Sequence, residues 1–158
     1  MKYARIHHRI LLASCLLAAG TAIAAEPEDI IKYRQNVMKS NGAHMAAAGA
    51  IITGKVDFKG QLGDHVKALQ AINKDVMSLF PKDSDFGETK ALDAVWKNSA
   101  DFQKRAKEAA QKADALAKTV AAGDSKNYGA RFKELSDSCK ACHKDYRKEE
   151  KKAAPCRQ

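Results

Sequence analysis

Near the C-terminus of this 158-residue chain, Cys139-Lys140-Ala141-Cys142-His143 sets two thiols and an imidazole within one helical turn. Residues three and four apart share a helix face, so the three side chains would project together. The spacing is the C-x-x-C-H pattern of c-type haem attachment. There the thiols add across the two vinyl groups of a haem, and the histidine ligates its iron. Two other chemistries use a close cysteine pair. A redox dithiol wants a strand and a crossover helix around it, and a structural zinc wants a second spaced pair, with His143 or Cys156 adding ligands here. The sequence offers neither setting.

A haem held through His143 leaves one axial position open to decision. A sulfur ligand there suits electron transfer, whereas an open position suits a gas. Met38, Met45, Met77, His44 and His65 are the side chains able to fill it, with an empty position as the alternative. His44 and His65 are expected on partly solvated faces. No pair of carboxylates, and no nucleophile with a base, is brought together by periodicity, so the sequence does not point to an enzyme.

The elements that must position these groups are helical throughout, with no convincing strand alternation. Pro27, Glu28 and Asp29 open a first helix that should run to about Thr53, before Gly54. Ile31, Met38, Met45 and Ile52 recur along it as an inward stripe. Gly42, Ala46, Ala48 and Gly49 would let a neighbouring helix or a flat cofactor approach closely. A second helix should follow the turn at Gly60 and Gly63, with Leu62, Val66, Leu69, either Ile72 or Asn73, Val76 and Phe80 inward, until Pro81 stops it. After a polar connection from Lys82 to Glu88, a third helix is expected from Thr89 or Ala91 to about Val120. Its inward face reads Leu92, Val95, Trp96, Ser99, Phe102, Ala106, Ala109, Ala113, Leu116 and Val120. Gly123 closes it, and Asp124 or Ser125 can cap a fourth that carries Phe132, Leu135, Cys139, Cys142, His143 and Tyr146 along one side. Four amphipathic helices with short connections imply an all-α, antiparallel, up-down-up-down four-helix bundle with the haem motif facing its core.

At the other end of the chain, Lys2, Arg5 and Arg9 precede an apolar run from Ile10 to Ala19 and the small-x-small site Ala22-Ile23-Ala24. This reads as a cleavable secretory signal over residues 1–24, too short in its apolar part to stay as a membrane anchor. The bundle would then occupy 25–150, and 151–158 would form a charged, disordered tail. Export predicts a periplasmic protein in which Cys156 is left over once the motif cysteines are consumed. The formal charge is +9, and losing the three signal cations brings it near +6. In an exported chain such a balance argues against nucleic acid and for an acidic docking surface on a redox partner.

Taken together, the C-terminal C-x-x-C-H followed by Lys144-Asp145-Tyr146-Arg147, and the upstream stretch Pro27-Glu28-Asp29-Ile30-Ile31-Lys32-Tyr33-Arg34-Gln35, resemble the class II cytochromes c, the cytochrome c-prime and cytochrome c556 group. The resemblance implies one covalent haem c bound by Cys139 and Cys142, with His143 as proximal iron ligand and Met38 in the distal position. It places Arg34, Gln35 and Thr89 at the propionate edge and Arg147 beside the proximal imidazole. Homodimers are frequent in that group. The stretch from Asn41 to Ile51 looks more like the c556 members, which favours a one-electron carrier with low-spin His/Met iron. The alternative is a five-coordinate c-prime-type protein that binds nitric oxide or carbon monoxide, with Met38 as a gate.

Overall fold

The computed structural model describes residues 26–149. The expected signal segment, the tail and Cys156 lie outside the described residues. Five helices follow in order: α1 (Pro27–Ile52), α2 (Leu62–Lys74), the single turn α3 (Ala94–Lys97), α4 (Ser99–Ala121) and α5 (Tyr128–Tyr146). The four long ones form an antiparallel bundle. α4 packs most extensively on α5 and α2, α1 packs on α2, and α1 meets α5 only sparingly.

Helix ends follow from local chemistry. α1 stops in a Schellman arrangement: Gly54, at φ +72°, donates to Ile51 and Lys55 donates to Ala50. Gly123, at φ +70°, closes α4 in the same way, with its amide on Val120 and that of Asp124 on Thr119. Both glycines occupy a left-handed conformation that side chains disfavour.

Inside, Ala48, Ile51, Leu62, Val66, Leu69, Ala113, Leu116, Ala117 and Leu135 make one apolar cluster shared by all four long helices. α1 and α5 come close at this end because Gly49 lacks a side chain: a Cβ there would lie 2.9 Å from the ring of Phe132. Gly42 has open space around it and Ala46 is exposed, so those two small residues serve no close approach. A second, smaller cluster at the opposite end gathers Ala91, Val95, Phe102 and Tyr146, with Phe80 and Trp96 against it.

Three boundaries differ from the sequence reading. α2 ends at Lys74 rather than Phe80, because Asp75 leaves helical geometry (φ −128°, ψ 31°) and Val76–Leu79 wind as a tighter 3-10 turn. The expected third helix is broken at Asn98 (φ −115°, ψ 44°), and residues before Ala94 are not helical. There the chain pairs with the end of α5: Leu92 N donates to Tyr146 O at 3.0 Å and Lys148 N to Lys90 O at 2.8 Å, around an antiparallel bridge between Ala91 and Arg147. That pairing also ends α5 at Tyr146. Among the described residues, no helix is long and apolar enough to cross a membrane.

Candidate functional site

Where α1 and α5 part, between the two clusters, the bundle encloses a cavity of about 340 Å³. That is within the range of roughly 300–1,000 Å³ usual for small-molecule and cofactor sites. α5 contributes Cys139, Cys142, His143 and Tyr146 to its wall; α1 contributes Arg34, Gln35, Met38, Lys39 and Asn41. α4 contributes Phe102, Arg105, Ala106 and Ala109. The alanines keep the space open: a longer side chain at either would fill it.

The motif residues thus share one wall, as the helical spacing requires. Cys139 packs against the first apolar cluster and Cys142 against the second. Burial raises the pKa of the Cys139 thiol, and burial with the neighbouring Cys139 pushes that of Cys142 up to about 11. Thiols so held are poor redox dithiols, whose attacking sulfur needs a pKa near ambient pH. Nor do the two sulfurs and His143 converge as zinc ligands would; among the described residues no three His, Cys, Asp or Glu side chains are gathered, as even a three-ligand zinc site needs. His143 is exposed by surface area but stands in a concave wall. Desolvation there, and then the charge of Arg147, hold its imidazole below the ordinary histidine value, the neutral state a metal ligand requires.

Of the side chains weighed for the second axial position, Met38 alone lines the cavity. Met45 packs on the first cluster and Met77 on the second. His44 and His65 pair with each other across α1 and α2. Arg147 lines the cavity beside His143, and Gln35 lines it while donating to Glu88 O at 2.6 Å.

Arg34 is only 3% exposed. Its Nη1 donates to Leu79 O (3.1 Å) and Ser84 Oγ (2.9 Å), and its Nη2 to Ser84 O (2.9 Å) and Thr89 Oγ1 (2.7 Å). The guanidinium also stacks over Phe80, 4.8 Å from the ring centroid. Burial lowers its pKa. Arg34 therefore clasps the 79–89 connection that walls the cavity. Thr89, absent from the lining residues, is an acceptor in this clasp and also receives Ala91 N at 3.2 Å.

Sequence reasoning missed Ser84, fully buried in what read as a polar connection, and Arg105. Arg105 lines the cavity and reaches Asp145 at 2.9 Å and Asp101 at 3.2 Å, and Asp101 accepts the Tyr146 hydroxyl at 2.6 Å. The signal for Arg105 was present: it follows Phe102 by three residues and precedes Ala109 by four, beside the inward stripe. Asn73 rather than Ile72 is the buried residue near the end of α2, and it donates to Leu69 O and Asn41 Oδ1.

The donor set suits a haem. Two thiols and a neutral imidazole share a wall, aromatic and alanine side chains line the walls, and the lining includes Arg34, Lys39, Lys90, Arg105 and Arg147 without one acidic residue. A dianionic planar cofactor complements that charge.

Comparison with known proteins agrees. Residues 29–147 match the family model described as Cytochrome C'. Cytochrome c' of Pararhodospirillum photometricum is 32% identical over 124 residues, covering 78% of this chain and 99% of that protein. Cytochrome c-556 of Agrobacterium fabrum is 30% identical over 138 residues, covering 87% and 90% respectively. The solved nitric oxide complex of a single-substitution variant of cytochrome c prime from Alcaligenes xylosoxidans superposes with a TM-score of 0.74 at 26% identity, covering 80% of this chain and 99% of that one. With the family match spanning nearly all the described residues, the chain belongs to the cytochrome c' family, and its cofactor is a single covalently attached haem c.

Proposed function

We propose that this is an exported ligand-binding haem protein of the c-prime type, in which Met38 screens an otherwise open side of the iron. Four of the relatives matched most strongly are named cytochrome c', and a nitric oxide complex stands among the similar structures. The observation that carries the reading is the shared cavity: His143 and the motif cysteines on α5, and from α1 the thioether of Met38. Bound haem supplies one-electron redox chemistry and an iron site for diatomic gases.

The chain's own residues do the rest. Cys139 and Cys142 would hold the haem through two thioether bonds, one to each vinyl-derived carbon. His143 presents a neutral imidazole to the metal, and Arg147 beside it helps keep that imidazole unprotonated. Met38, Phe102, Ala106 and Ala109 give the cavity apolar wall against which a haem and a diatomic ligand would pack. Gln35, Lys39, Lys90 and Arg105 offer donors for the propionates, while Arg34 and Thr89 hold the connection that carries part of this edge. The signal pattern over residues 1–24 supports a periplasmic location, and the basic surface supports encounter with an acidic partner.

A second reading keeps Met38 as iron ligand in a one-electron carrier. Its support is that Met38 is the one axial candidate lining the cavity, together with the c-556 relatives. Absorption spectra of ferric and ferrous holoprotein, with and without carbon monoxide, separate the two. High-spin bands that shift with carbon monoxide, unchanged in spin state by Met38→Ala, are expected. Low-spin bands with a methionine-to-iron charge-transfer feature and no carbon monoxide response, turning high-spin in Met38→Ala, would overturn the gas-binding reading in favour of the carrier.

A further inference from the structure

Away from the haem cavity, His44 of α1 and His65 of α2 bring Nδ1 to Nδ1 at 3.0 Å, with ring centroids 5.3 Å apart and planes tilted by 54°. Neither ring lines the haem cavity. Both residues are half-buried. We propose that this pair is a bidentate site for a divalent transition-metal ion, best matched to Cu²⁺.

Two metal–nitrogen bonds of about 2.0–2.1 Å place their nitrogens about 2.9 Å apart when they meet at a right angle, and about 3.3 Å apart at the tetrahedral angle. The observed separation lies near the right-angle value. Adjacent positions of a tetragonal ion, the geometry of Cu²⁺ and Ni²⁺, accommodate that separation, and Cu²⁺ binds nitrogen sites most tightly of the divalent series.

The pair is also held in place before any ion arrives. His44 stands one helical turn before Ala48, which is 0% exposed, and His65 adjoins Val66 at 2% and precedes Leu69 at 0%. These are the positions through which α1 and α2 lock into the apolar core. Nδ1 is the ring nitrogen nearer the backbone, so the lever arm from each rigid helix is short. Binding then costs little side-chain ordering, which is the usual expense of a surface site. The rings share a hydrogen bond in this contact, so binding moves the Nδ1 proton of the donor ring to its Nε2 and frees both Nδ1 lone pairs, and the half-buried position leaves the remaining coordination sites to water.

The test is a calorimetric titration of the ferric holoprotein with Cu²⁺, and with Zn²⁺ for comparison. It is run in a Cys156→Ser background so that the tail thiol does not contribute. One Cu²⁺ per chain is expected, bound more tightly than Zn²⁺, with a copper electron paramagnetic resonance signal carrying the splitting of two imidazole nitrogens. His44→Asn and His65→Asn should each weaken the affinity about tenfold or more, as loss of one arm of a chelate does, while the haem spectrum stays unchanged. Asparagine keeps a polar partner for the remaining ring, and thermal unfolding in the presence of chelator confirms that each variant is folded. Copper affinity unchanged in both variants, or no copper signal with two imidazoles, would overturn the assignment.

Discussion

The two ends of the bundle are built on different physics. At the end closed by Gly49 and Phe132, nine buried side chains from four helices are all apolar, and the helices approach closely because one of them has no Cβ to interpose. At the haem end the small apolar cluster is edged by aromatic rings meeting edge-on, Phe80 with Phe102 at 4.9 Å and Phe102 with Tyr146 at 5.0 Å. What holds that end together is polar: the Arg34 clasp, the Tyr146–Asp101–Arg105 network and the bridge between Ala91 and Arg147. Apolar burial fixes the closed end without demanding any particular partner. Directional bonds hold the other end open, since they can brace walls around a space that packing would fill.

The contrast predicts a gradient of mutational effects. Leu116, fully buried in the closed cluster, is the strongest lever: Leu116→Ala should cost about 3–5 kcal/mol in urea unfolding of the holoprotein, the range for a large cavity left in a packed core. Its haem spectrum should stay native-like, because the residue is not among those that line the cavity. A changed spectrum would mean that the two ends are not separable. Arg34→Ala should cost about 2–4 kcal/mol, because acceptors at Leu79, Ser84 and Thr89 lose their donor together. Here the spectrum should change, since the cavity wall loosens with the clasp. Arg34→Lys keeps the charge but not the planar fork, and it should recover only part of the loss. Full recovery would show that charge rather than hydrogen-bond geometry secures the connection. Smaller again, Thr89→Val removes one acceptor shared by Arg34 and Ala91 N and should cost about 1–3 kcal/mol.

The same division explains what the sequence could reveal. Closed-end residues such as Leu62, Val66, Leu69 and Leu116 recur at helical spacing, and periodicity finds them directly. The motif on α5 was equally legible, because its chemistry and its spacing coincide on one helix. The haem end depends on pairs such as Arg34 with Ser84 and Thr89, 50 and 55 residues apart, which no local pattern encodes. Ser84 looked like loop polarity for that reason. Likewise the continuous helix expected from Thr89 or Ala91 to Val120 followed from its apolar pattern, yet the amide of Leu92 goes to Tyr146 O on another element, so no helix starts before Ala94, and Asn98 interrupts the run again. Tertiary partners override local propensity where the competing hydrogen bond is long-range.

The smallest effect at neutral pH should come from Tyr146→Phe, and its pH profile sharpens the comparison further. The bond to Asp101, and then burial, push the Tyr146 hydroxyl up to about 12. A folded-state pKa raised above the ordinary tyrosine value of about 10 gives stability that is intact below that value and is lost as pH climbs toward the folded one. The same bond is the first cause holding the Asp101 carboxyl below its usual range, with Arg105 adding to it. That contribution is intact above the ordinary aspartate value and is lost as pH falls through the lowered one. Phenylalanine should therefore remove the tyrosine's part of the alkaline loss, leaving that of Lys133, and reduce the acid loss in part, because Arg105 still faces Asp101. Urea unfolding from acid to alkaline pH, with Leu116→Ala as the closed-end control, reads this directly. The control should run parallel to the parent at every pH, since its burial involves no titrating group, and a Tyr146→Phe profile equally parallel would mean that the haem end is held by packing after all.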